Sequence, residues 1–240
     1  MNKRWLDKAL DRIGPIVNES FRDEWRSHLE TVSKVAKSDR LLKKIACASD
    51  AESVFDYFAE VRYALVFASL GFDVQVEPLG QKGPDLQVDR DNQSALVEVK
   101  RFRRRPPNPL LEQLLQEQGY LVTMGDVERE FNTACAAIID KFRQVRLRDR
   151  NSIIALWSDW PEGTLSVPTK AAVTDLQEEP MEKVHPLPNG LLFVVYGPTQ
   201  TGVSCYPFQR GSAELFHTWQ KELCSSSMSA LMHQALKKLL

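Results

Sequence analysis

The sequence predicts an α/β protein built on a mixed central sheet. Three observations carry this. Apolar residues recur at intervals of three and four in the first fifty residues and again after residue 49. Residues 72–100 switch to period two, and Ser152-Ile153-Ile154-Ala155-Leu156-Trp157 is a short apolar run, as expected of a buried strand. Helix, three strands, helix and strand, in that order, are the makings of helices packed on a sheet.

The helical stretch at the N-terminus comes first. Trp5, Leu6, Ala9, Leu10 and Ile13 have helical spacing, and Gly14-Pro15 ends that element. Phe21, Trp25, Leu29 and Val32 make a second stripe, and Leu41, Leu42 and Ile45 the inward side of a third helix after Ser38-Asp39. Residues 1–48 therefore read as a helical extension packed on an α/β domain of residues 49–240. Ser49 with Glu52 three positions on reads as a capping box. The helix it opens carries Phe55, Phe58, Val61, Leu65 and Phe67, and should stop at Gly71. Glu60 shares a face with Ala64 and Phe67, an apolar setting for a carboxylate.

Phe72 to Glu77 alternate as a strand, and Pro78 to Gly83 turn the chain. Leu86, Gln87 and Val88 belong to the next strand, Asp91-Asn92-Gln93 supply turn chemistry, and Ala95 to Lys100 form the third. Pro106, Pro107 and Pro109 end it, and Leu110 to Gln118 read as a short helix. Asp126 is placed to cap a longer helix through Phe131, Ala134, Cys135, Ile138, Phe142 and Val145, whose other side carries Lys141, Arg143, Gln144 and Arg146. Residues 161–190, rich in proline and polar residues and acidic at Glu178, Glu179 and Glu182, read as a long surface loop. Two strands (191–196 and 203–208) and two helices (213–223 and 228–239) complete the C-terminal part.

Composition narrows the chemistry. With 240 residues, 43% hydrophobic and 26% charged, the chain is ordinary for a soluble protein of one large domain. No apolar run approaches the roughly 20 residues needed to span a bilayer, and Met1 to Lys8 lack the apolar core of a signal peptide. A cytoplasmic protein without membrane contact is expected. Cys47, Cys135, Cys205 and Cys224 lie far apart without a CxxC pair, so zinc is not expected and buried reduced thiols are. A net charge of −1 means that any nucleic-acid signal must be local.

The local signal lies in Gly83 to Lys100. On a strand, Glu98 and Lys100 project from one face about 6–7 Å apart. If Asp85 lies on the neighbouring strand, two carboxylates and one ammonium converge. Such carboxylates repel unless a cation lies between them, and hard oxygen donors suit Mg²⁺ or Mn²⁺. Arg101, Arg103, Arg104 and Arg105 follow, with no acidic residue before Glu112. These arginines read equally as phosphate contacts or as a solvated turn.

Pro84-Asp85 followed by Glu98-Val99-Lys100, on adjacent strands after a Glu-bearing helix and before a basic one, resembles the PD-(D/E)xK nuclease superfamily. The likeness covers about residues 50–158. It implies a restriction-endonuclease-like αβββαβ core and a Mg²⁺-dependent endonuclease acting on DNA, with Mn²⁺ able to substitute. On that resemblance Asp85 and Glu98 are metal ligands. Lys100 orients or activates the attacking water and stabilises the phosphorane, and Glu60 is the helix acid that helps bind the metal or position water. Lys141 or Gln144 would supply a polar group from the following helix. The family analogy also implies a homodimer for double-strand cutting. A nuclease-like subunit that binds nucleic acid or a partner without cutting is the alternative.

Overall fold

The computed structural model describes residues 3–78, 83–103, 127–144, 150–158, 165–178, 190–196, 204–208 and 214–225. Among these, α1 (Lys3–Ile13), α2 (Glu19–Val35) and α3 (Asp39–Ala46) precede the long α4 (Ala51–Ser69). Then come β2 (Asp73–Val76), β3 (Leu86–Arg90), β4 (Gln93–Phe102), α5 (Val127–Gln144) and β5 (Asn151–Ser158). The last described elements are α6 (Ser166–Glu178), β6 (Gly190–Tyr196), β7 (Ser204–Pro207) and α7 (Glu214–Ser225). A two-residue β1 (Ala36–Lys37) between α2 and α3 was not anticipated; it is too short to show a period. The helices predicted at 110–118 and 228–239 and the cap Asp126 lie outside the described residues.

The strands form one mixed sheet in the order β1-β2-β3-β4-β5-β6-β7. β3 is antiparallel to β2 and β4, while β5 and β6 run parallel to β4. β7 returns antiparallel beside β6. The architecture is α/β, as expected.

Alternation along β4, β5 and β6 sorts side chains onto two faces. Ala95, Val97, Ile153, Ala155, Leu192 and Val194 join a core with α1–α4 and with Trp219 and Leu223 of α7. Ile154, Leu156, Phe193 and Val195 join a second core with Ile138 and Phe142 of α5 and Leu176 of α6. The N-terminal helices therefore share the core of the sheet's first face. Each fully buried Leu or Phe there contributes about 1.5–3 kcal/mol. Trp25 of α2 stacks on Phe58 of α4 at 3.6 Å, and the Arg62 guanidinium lies 4.5 Å from the Trp25 ring and 4.0 Å from that of Trp157 on β5. Phe21 departs from its stripe and is exposed.

Local chemistry explains the element ends. Asp50, not Ser49, caps α4: it is extended, and its carboxylate accepts the Ser53 amide at 2.8 Å. Ser49 donates to the Asp50 carboxylate, and Glu52 turns to Arg101 of β4. α4 ends before Gly71, whose φ of +84° is open to glycine without strain. The β3–β4 turn has two residues, Asp91 and Asn92, with φ of 52° and 60°, while Gln93 already pairs with Arg90.

The surface loop expected at 161–190 is corrected: Ser166–Glu178 is helical, with Pro168, Thr169, Ala172, Val173 and Leu176 buried. Pro168 falls in its first turn, where a missing N–H costs nothing. Its apolar spacing was outweighed by composition. The thiols also differ from expectation, since Cys47 and Cys224 are exposed and only Cys135 is buried. Among the described residues no helix is long and apolar enough to cross a membrane.

Candidate active site

The register of β3 and β4 places Leu86 opposite Val97, and Asp85 is the next residue toward the strand end. There the ladder stops and the Asp85 side chain takes over. Its Oδ2 accepts the Val99 amide at 2.8 Å, so the carboxylate is fixed against the residue between Glu98 and Lys100. The Asp85 carbonyl accepts the Glu77 amide at 2.8 Å, tying the end of β2 to the same point.

Glu98 and Lys100 share a face, as predicted. Their partners on β5 are Ile154 and Leu156, which belong to the core under α5 and α6. Glu98 is half-buried and Lys100 exposed. Glu60, on α4, approaches from the opposite face. Asp85, at the edge between them, is the residue that both sides share.

Glu60 is buried, at 7% exposure, and its Oε2 has no hydrogen-bond partner. Its Oε1 lies 3.5 Å from the Lys44 ammonium, which in turn binds Glu77 Oε1 at 2.5 Å. Burial first, and then the negative charges of Asp85 and Glu77, push the Glu60 carboxyl well above the usual range despite Lys44. Burial pulls the Lys44 ammonium down, but the attraction of Glu60, Glu77 and Asp85 outweighs it and raises its pKa. Glu77 is itself buried and holds φ at 46°, a left-handed conformation costing about 1–3 kcal/mol in a non-glycine residue. Arg40 donates to its carbonyl at 3.1 Å.

Lys44 and Glu77 were not anticipated. Lys44 follows Leu41 by three residues, a phase that sets it beside the buried side of α3; that was the available signal. Glu77 gave none, since it looked like the last residue of a strand.

The basic run is divided. Arg101 Nη1 is 3.0 Å from Glu52 Oε2 and 3.2 Å from Asp56 Oδ1, both on α4, and Arg103 Nη2 is 2.5 Å from Asp56 Oδ2. The Arg101 side chain is 8% exposed and that of Arg103 52%. Arg104 and Arg105 lie outside the described residues. Lys141 and Gln144 fall within α5, but their side chains are not described.

Asp85 and Glu98 offer only oxygen, the donor type that hard divalent cations take. Glu60 Oε2, on the other face, is an acceptor without a donor. Burial is the first reason the Glu60 carboxyl is pushed up, and the neighbouring charges of Asp85 and Glu77 add to it against the pull of Lys44. Among the described residues no three His, Cys, Asp or Glu side chains are grouped to hold an ion. Mg²⁺ commonly uses only one or two carboxylates together with substrate phosphate and water.

Replacing Glu60 with Gln tests this electrostatic reading in metal-free protein. A carboxyl whose pKa is raised on folding binds protons more tightly in the native state, so native stability falls as pH rises above the ordinary carboxylate range. Glu60→Gln is therefore expected to stabilise the fold at pH 7–8 by about 1–3 kcal/mol. The gain should shrink toward pH 4.5, the ordinary value. Urea unfolding across this range measures it, and a variant less stable than the parent at pH 8 would contradict the assignment.

Comparison with protein-family models, curated proteins and solved structures gives no significant match.

Proposed function

We propose that this chain is a divalent-metal-dependent endonuclease of the restriction-endonuclease-like class that hydrolyses DNA phosphodiester bonds. One observation carries the reading: the Asp85 carboxylate is docked on the Val99 amide, between Glu98 and Lys100. Two motif halves separated by a hairpin thus meet at one strand end. The element order α4, β2, β3, β4, α5, β5 and the buried acid on α4 support the same reading.

In this reading Asp85 and Glu98 would hold Mg²⁺ or Mn²⁺, with Glu60 facing Asp85 from the other side of the sheet. The ion would lower the pKa of a bound water and draw charge from a non-bridging phosphate oxygen. Lys100, exposed beside Glu98, donates to the phosphoryl oxygens as charge grows on them. The water oxygen bonds to phosphorus, the bond to the leaving oxygen breaks, and that oxygen takes up a proton.

Purified protein should nick supercoiled plasmid in Mg²⁺ or Mn²⁺, with cleavage lost in EDTA and in Glu98→Ala. Folded protein that cuts no circular, linear or branched DNA with either ion would overturn the reading. DNA binding without cutting would leave the silent binding subunit.

A further inference from the structure

The described arginines beyond Lys100 are engaged by Glu52 and Asp56, so the cations available to a polyanion must be sought elsewhere. They lie at the junction of α2, β1 and α3. Lys34, Lys37, Arg40 and Lys43 are all exposed, and residues 34–44 hold five Lys or Arg against one acid, Asp39. This stands out in a chain whose net charge is −1. Among the described residues, Lys34, Lys37 and Lys43 make no ion pair. Arg40 and Lys43 stand three apart on α3, roughly 5–6 Å between their Cβ atoms. The buried Leu41, Leu42 and Ile45 hold the other side of that helix against the core.

Two concavities flank Arg40. One, of about 610 Å³, is walled by Lys43, Lys44, Arg40 and Tyr57. The other, of about 690 Å³, is walled by Lys34, Lys37 and Arg40. Glu77 belongs to both walls, and its side chain meets Lys44 next to Glu60. Both concavities, whose walls hold more cations than acids, thus adjoin Glu77 at the carboxylate cluster.

We propose that the face formed by Lys34, Lys37, Arg40 and Lys43 docks the sugar–phosphate backbone of duplex DNA beside the Asp85–Glu98 end of the sheet, an assignment that rests on the nuclease reading. The N-terminal helices are then the substrate-holding part of the protein. Contacts of this kind fix position and affinity without reading sequence.

The test is anisotropy of a fluorescein-labelled duplex of arbitrary sequence, in EDTA so that nothing is cut, with the full chain throughout. The triple variant Lys34→Ala, Lys37→Ala, Lys43→Ala should bind about tenfold or more weakly near physiological salt, equally for unrelated duplexes. The slope of log affinity against log salt should fall by about 0.9 for each phosphate that is no longer neutralised. Arg103→Ala should bind as the parent does. Circular dichroism and melting establish that each variant is folded; if the triple variant is not, the three single variants are measured, each with a proportionate loss expected. Unchanged affinity and slope, loss carried by Arg103→Ala instead, a parent that binds no DNA, or stronger binding of polyglutamate than of duplex each overturns the proposal. Glu98→Ala separates the two ideas. A parent that binds through this face yet cuts no better than Glu98→Ala sinks the nuclease reading and leaves the docking surface standing.

Discussion

Replacing Lys100 with alanine is expected to slow single-turnover cleavage by about 10²–10³-fold, the loss seen when one preorganised transition-state donor is removed. Fold and metal affinity should survive. Lys100 is exposed, so its truncation removes little packing, and surface changes of this kind stay within about 0.5 kcal/mol. Asp85→Ala should behave otherwise: it frees the Val99 amide and removes an oxygen ligand, so metal affinity falls together with activity. Calorimetric titration with Mn²⁺, beside single-turnover rates, distinguishes the two patterns. If Lys100→Ala cuts as fast as the parent, the lysine serves only as an ion-pair partner of Glu98, worth about 0–1 kcal/mol.

The second large effect concerns stability. Lys44→Met leaves the Glu60 and Glu77 carboxylates, both buried, without the ammonium between them. Breaking a buried pair in this way destabilises by about 3–5 kcal/mol. For a chain of this length each kcal/mol lowers the melting midpoint by about 2–4 °C. The deficit should depend on pH. Glu60, already raised by burial and by Asp85, takes up a proton as the pH falls toward the ordinary carboxylate range, and the penalty fades with its charge. Adding Glu60→Gln to Lys44→Met should restore part of the stability at neutral pH. A loss below about 1 kcal/mol with no pH dependence would show that the ammonium is not compensating these acids.

The parts of the fold legible in the sequence are those where periodicity and local chemistry agree. Gly71 after a helical stripe, Asp91-Asn92 between alternating strands, and the apolar 152–157 run each pointed to the element found there. Where composition was set against spacing, composition misled. Pro168 and the acidic tail made residues 166–178 look like a loop, although Ala172, Val173 and Leu176 carry a buried helical stripe. The Asp85, Glu98 and Lys100 trio was visible because a short hairpin keeps its members close in sequence. Lys44 and Glu77 meet Glu60 only through tertiary packing: 16 residues separate Lys44 from Glu60, and a β2 end with strained backbone turns Glu77 inward. No local pattern encodes that meeting. The pairing of Arg101 and Arg103 with Glu52 and Asp56 was hidden for the same reason, Arg101 and Asp56 being 45 positions apart.

The sheet's strand order repeats the order of the chain, with consequences for synthesis. Among the described residues, every strand from β2 onward is laid beside the one made just before it. No later described strand has to be threaded between two already paired, so the sheet can lengthen as the polypeptide leaves the ribosome, always at its newest border. Growth of that kind always presents an open border to neighbouring nascent chains, a standing invitation to aggregate. In the finished sheet, among the described residues, the outermost strands are short: two residues at β1 and four at β7, the latter ending in Pro207. A proline cannot donate to a further ladder, and so brief a border offers little template.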